Sequence, residues 1–77
     1  MSIQLRDLTV GDHGRITGYR DGGRAYRKKL LSMGLTPGAQ FRVIRVAPMG
    51  DPVEIQVRGF RLSLRMDEAS TLRVERL

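Results

Sequence analysis

From about residue 39 onward, apolar and polar positions alternate. Val53, Ile55 and Val57 interleave with Glu54, Gln56 and Arg58; after Gly59, Phe60, Leu62, Leu64 and Met66 interleave with Arg61, Ser63 and Arg65. A period of two marks a strand with one face buried and one wet, because successive side chains point to opposite sides. With Arg58-Gly59 as a two-residue loop, Val57 falls opposite Phe60, Ile55 opposite Leu62 and Val53 opposite Leu64. The apolar side chains then share one face. That fixes the register, since a slip of one residue would turn the whole set to solvent. A third strand is expected over 39–47, where Val43-Ile44 breaks the alternation and signals a bulge or burial on both sides. Two shorter strands are expected at 14–20 and 71–77. Five short antiparallel strands in so small a chain predict a mainly β, partly open barrel, because curling the sheet leaves few free edges.

One α-helix is expected after the first of these strands. Asp21-Gly22-Gly23 supplies a turn, and residues 24–33 are good helix formers. Tyr26, Leu30 and Met33 fall at i, i+4 and i+7 and form one apolar stripe toward the barrel. Gly34 stands where a left-handed residue ends a helix, with Leu35 as the hydrophobic contact of a Schellman motif. Pro37-Gly38 then turns the chain. Leu31 projects about 140° from Tyr26, at roughly 100° per residue. It therefore lies among Arg24, Arg27 and Lys28, away from the core.

Composition narrows the function classes. The chain has 77 residues, enough for one domain spanning 1–77. It has no Cys, which removes disulfides, thiolate metal sites and a Cys nucleophile. No apolar run approaches the length of about 20 residues that a membrane span needs, or the shorter core of a signal peptide. A reducing, cytoplasmic setting is expected. The single His, His13, follows Asp12 in a segment that reads as a turn before the first strand. With no further ligands beside them, Asp12 and His13 read as turn residues, with at most weak affinity for a divalent ion. The serines have no partnered base, and no Walker A motif is present. Asp67-Glu68 suits the capping of a turn rather than acid–base work. Neither an enzyme nor a cofactor site is expected.

Several segments together resemble the ferrous iron transport protein A family. Lys29-Leu30-Leu31-Ser32-Met33-Gly34-Leu35-Thr36-Pro37-Gly38 is similar to its helix-to-strand signature, and Ala47-Pro48-Met49-Gly50-Asp51-Pro52 to its inter-strand loop. Arg58 to Arg65, followed by Glu68-Ala69, resembles its terminal hairpin and short helical turn before the last strand. Leu5 to Gly11 matches its opening Leu-x-x-Leu-x-x-Gly. The resemblance implies an SH3-like barrel and a small cytosolic partner of a membrane ferrous iron transporter whose cytoplasmic domain hydrolyses GTP. The SH3-like domain of iron-dependent repressors is a relative of the same fold. Iron handling by the family does not imply iron ligation here, given the missing ligands.

The net charge of +6 comes from 14 Lys and Arg against 8 Asp and Glu. Most arginines alternate with apolar residues and read as the wet face of strands, with Glu54 and Glu75 available for cross-strand pairs. Arg24, Arg27, Lys28 and Lys29 form the one true cluster. A nucleic-acid-binding barrel is the alternative reading of this charge. Tyr26, Phe41 and Phe60 are assigned to the core, which leaves no stacking platform for single strands and makes nucleic acid the less favoured partner. The other reading is attraction to an acidic partner surface and the anionic leaflet near it.

Two features are candidate partner contacts. Prolines bracket the loop at 47–52; Pro48 suits position i+1 of a turn, Asp51 can bond nearby backbone, and Met49 stands near the tip. Met49 either folds back onto the barrel or serves as a preformed, adaptable anchor. On the helix, Leu31 with Arg24 and Arg27 makes either an ordinary exposed Leu, a cover for the end of the barrel, or an apolar spot ringed by charge. Arg24 or Arg27 is also a candidate to reach a γ-phosphate in trans. Free edge strands leave self-association open.

Overall fold

The terminal hairpin forms in the register that the alternation dictates. In the computed structural model, which describes residues 3–77, Val53 pairs with Leu64, Ile55 with Leu62 and Val57 with Phe60. Met1 and Ser2, the start of the expected 1–77 domain, lie outside the described residues. Arg58 and Gly59 take φ of 50° and 87°, the two left-handed residues of a type I′ turn.

The elements follow the order β1 (His13–Tyr19), α1 (Arg24–Ser32), β2 (Gln40–Val46), β3 (Val53–Val57), β4 (Phe60–Leu64), α2 (Met66–Ala69) and β5 (Leu72–Arg76), with one 3-10 turn at Leu5–Asp7 before them. The five strands form one antiparallel sheet in the order β4-β3-β2-β1-β5. β4 and β5 are its two edges. The sheet curls so that Ile16 of β1, Val43 of β2, Ile55 of β3, Leu64 of β4 and Val74 of β5 meet in one core, each 0–1% exposed. Burying each such side chain contributes about 1.5–3 kcal/mol.

The break in alternation at Val43-Ile44 is a bulge: the β2–β3 register shifts between Val43 and Arg45. A second shift, between Ile16 and Gly18, lets β1 bend against β5. Gly14 makes close approach possible in β1, because a Cβ there would stand 2.5 Å from the ring tip of Phe41.

α1 ends as expected. Gly34 has φ of 92°, its N–H donates to the Leu31 carbonyl, and the Leu35 N–H donates to the Leu30 carbonyl at 3.1 Å. These are the two bonds of a Schellman motif, and they carry Leu35 into the core. Leu30 is fully buried and Met33 packs against the core. Tyr26 does not, being 39% exposed. Helix α1 is two and a half turns long, and it is Leu30 and Met33, toward its C-terminal end, that reach the core. Phe60 departs from expectation too, at 41% exposed: it stands directly after the Arg58-Gly59 turn, at the end of the hairpin, whereas Leu64 at the other end of the same strand is buried. Leu5, which opens the 3-10 turn, and Leu8, which follows it, fill core space instead. His13 is the first residue of β1 rather than part of the preceding turn; its side chain is exposed and its carbonyl accepts the Leu77 N–H.

Candidate functional site

Helix α1 presents two different faces. Leu30 points into the barrel, while Arg24, Arg27, Lys28 and Leu31 recur at i, i+3, i+4 and i+7 and form one outward stripe. These four residues line a shallow groove of about 370 Å³ whose walls are mainly apolar. Leu31 is half-buried and shares the groove with the three cations. Long basic side chains cover apolar surface with their stems while their heads stay in water. The site is thus a small apolar floor under three positive charges.

These charges are not explained by helix stability. The N-cap is Gly23, with no side-chain cap, and the first turn holds no acidic residue. Arg24 opens the helix at the positive end of its dipole, where a cation is unfavourable.

The fourth cation of the sequence cluster leaves the patch. Lys29 Nζ donates to Glu68 Oε2 at 2.6 Å and ties α1 to α2. Glu68 is 7% exposed, and its other oxygen accepts the Arg65 N–H at the start of α2. The ammonium hydrogen bond first, then the main-chain one, holds the Glu68 carboxyl below its ordinary range. The steering charge on α1 is therefore Arg24, Arg27 and Lys28.

The loop at 47–52 is a rigid projection. The Gly50 N–H donates to the Ala47 carbonyl at 2.7 Å, placing Pro48 at i+1 and Met49 at i+2 of a turn. The Ala47 N–H closes the loop base on the Pro52 carbonyl. Met49 does not fold back onto the barrel: it is 92% exposed. Asp51 has an internal task, since its Oδ1 accepts the Met66 N–H at 3.1 Å and satisfies the first turn of α2. The loop and α2 are thereby locked together.

The remaining candidate chemistry resolves into structural roles. Asp12 Oδ2 accepts from the Thr9 main chain at 2.9 Å and the Thr9 hydroxyl at 3.2 Å, and Arg76 stands 3.6 Å away. The main-chain bond from Thr9 lowers its pKa. Among the described residues, no three His, Asp or Glu side chains group as metal ligands do. Glu75 pairs with Arg15 and Glu54 with Arg61, the cross-strand pairs that the alternation makes available. Among the described residues, no helix is long and apolar enough to cross a membrane.

Sequence reasoning missed the Lys29–Glu68 and Asp51–Met66 links, which join residues 39 and 15 positions apart. It also missed Tyr19, whose hydroxyl donates to the Leu35 carbonyl at 2.6 Å and anchors the segment after α1.

The FeoA domain family matches residues 3–76. A Fe(2+) transport protein A/Fe(2+) transporter FeoB fusion protein of Porphyromonas gingivalis is 33% identical over 73 residues. The match covers 95% of this chain and 8% of that protein, so the chain spans a small part of its curated relative. Among solved structures, the FeoA-like protein from Clostridium acetobutylicum superposes with a TM-score of 0.88 at 33% identity, over 99% of this chain and 87% of that one. FeoA of Stenotrophomonas maltophilia, solved with zinc, gives 0.82 at 25% identity over 95% and 89% of the two chains. It is described as an SH3 domain protein and advanced as a ferrous iron transport activating factor. The curled five-stranded sheet agrees with that description.

Proposed function

The chain belongs to the FeoA family, which is linked to ferrous iron transport, and we propose that it works as a single-domain, non-enzymatic accessory subunit of a membrane ferrous iron transporter. It docks in the cytoplasm on the transporter's GTPase region and modulates Fe(II) uptake. The observation that carries this reading is the α1 stripe. Three cations surround an apolar floor at Leu31, on a helix whose own stability they do not serve. Such a surface suits an acidic partner face with an apolar side chain at its centre. Support for the partner's identity is the Porphyromonas gingivalis relative, in which transport protein A and the transporter are one polypeptide.

Met49 supplies the second contact. Its thioether is held clear of the barrel by a closed turn, so little conformational freedom is lost on binding. Pro48 stiffens the turn. Asp51 acts indirectly by fixing the loop to α2.

The test is a titration of this chain into the purified cytoplasmic GTPase domain of the transporter. Leu31→Glu and Met49→Asp are each expected to weaken binding by about tenfold or more, with little change in Tm. Binding that neither variant changes would overturn the docking surface. Tight RNA or duplex DNA binding with a steep salt slope would favour a nucleic-acid function instead.

A further inference from the structure

The two edges of the sheet differ. Along β5, Ile3 caps the edge: its N–H donates to the Val74 carbonyl at 2.9 Å, and the Val74 N–H returns the bond at 3.0 Å. Along β4 no such cover exists among the described residues. β4 has β3 as its sole neighbour in the sheet. The type I′ turn makes Val57 and Phe60 a hydrogen-bonded pair, so Ile55 with Leu62 and Val53 with Leu64 are bonded pairs as well. The main-chain N–H and C=O of Arg61 and Ser63 consequently point away from β3. Both residues are exposed.

The side chains flanking this edge are of two kinds. On the wet face stand Arg61 and Arg65, with Arg58 at the turn, all exposed. Glu54 lies 3.8 Å from Arg61, and Glu68, which accepts the Arg65 N–H, also feels the Arg65 charge; Arg58 has no acidic partner among the ion pairs of the described residues. On the other face are Leu62, half-buried, and Phe60, 41% exposed. Phe60 leans toward the end of α1, its ring tip 3.6 Å from where a Cβ on Gly34 would lie.

We propose that the β4 edge binds an extended acidic segment of a partner protein by strand addition, main chain to main chain at Arg61 and Ser63. The segment alternates carboxylate and apolar side chains. Its carboxylates lie beside Arg61 and Arg65, and its apolar side chains beside Leu62 and Phe60, since neighbouring strands place like-facing side chains side by side. Charge selects this occupant over a second copy of the chain. Two β4 edges joined together would bring three guanidinium groups from each copy into one short ladder, on proteins that each carry +6. This goes beyond the docking reading and stands on different residues.

The probe is an acetylated, amidated peptide of alternating Glu and Val, about six residues long, the usual strand length. On titration, the Arg61 and Ser63 amides are expected to shift in NMR spectra and to gain protection from hydrogen exchange. Ser63→Pro removes an outward N–H and leaves the bonds to β3 intact, so it should weaken binding about tenfold. Ser63→Ala keeps that N–H and should stay within about twofold, as should Leu31→Glu on the other surface. An Arg61→Glu, Arg65→Glu double variant tests the charge without touching the main chain, and should lose the peptide. Equal binding of a peptide with all its Glu residues in one block would reduce the effect to plain charge attraction and overturn the proposal. So would an unliganded chain that sediments as a dimer with Arg61 and Ser63 already protected, which would make a second copy the occupant.

Discussion

The Lys29 ammonium lies 2.6 Å from Oε2 of Glu68, a carboxylate almost wholly withdrawn from solvent. This contact joins α1 to α2, and through the Met66 N–H on Asp51 the link continues into the loop that carries Met49. The outward stripe of α1 and the Met49 turn are thus held by one short chain of polar contacts.

Glu68 should make stability depend on pH in the acid range. Its folded pKa is below the ordinary carboxylate value, because of the Lys29 and Arg65 hydrogen bonds. The stabilisation is fully present above the unfolded-state pKa and is lost as pH falls through the depressed folded value. Glu68→Gln should cost about 1–2 kcal/mol near neutrality, the lower figure reflecting the exposure of the Lys29 side chain. In urea denaturation, the gap between wild type and variant should close on acidification.

Arg24→Glu should raise stability while lowering partner affinity. At the first residue of α1 an anion meets the positive end of the dipole, worth about 0.3–1 kcal/mol, or a rise of about 1–8 °C in Tm. Differential scanning calorimetry beside a binding titration reads both effects. Opposite signs are the expected mark of a charge kept for recognition.

Arg58 is the one described non-glycine residue with positive φ. A long side chain is strained there, whereas the short polar side chain of Asn bonds locally and tolerates a left-handed backbone, which makes Asn-Gly the favoured pair of a type I′ turn. Arg58→Asn should stabilise the hairpin by about 0.5–1 kcal/mol, seen as a higher urea midpoint with unchanged slope.

Tyr19→Phe removes the hydroxyl that donates to the Leu35 carbonyl and should cost about 1 kcal/mol at neutral pH. Burial raises the Tyr19 pKa, so the stability it confers is full below the ordinary phenol value and is lost as pH rises through the raised one. In alkaline solution the variant should approach wild type in Tm.

How much of this was legible in the sequence follows from range and exposure. The β3–β4 register, the Val43-Ile44 bulge and the Schellman ending of α1 are set by neighbouring residues, and each appears as the spacing predicts. Pro48 at i+1 of its turn is local in the same sense. Aromatic residues at apolar positions usually fill a core, which is the expectation at Tyr26 and Phe60. Both are partly exposed, Tyr26 near the start of α1 and Phe60 directly after the hairpin turn. Lys29 could not be separated from Arg24, Arg27 and Lys28 by spacing, since its partner Glu68 comes near only once α2 folds against α1. Helical geometry puts Leu31 among the cations, and the groove has those residues as its lining.

The most direct test is an amide chemical-shift map of the labelled chain during titration with the transporter's cytoplasmic GTPase domain. Shifts are expected to concentrate at Arg24, Arg27, Lys28 and Leu31 on α1 and at Met49 in its loop, all lost in Leu31→Glu. Saturable binding with those amides unmoved would contradict docking on this surface.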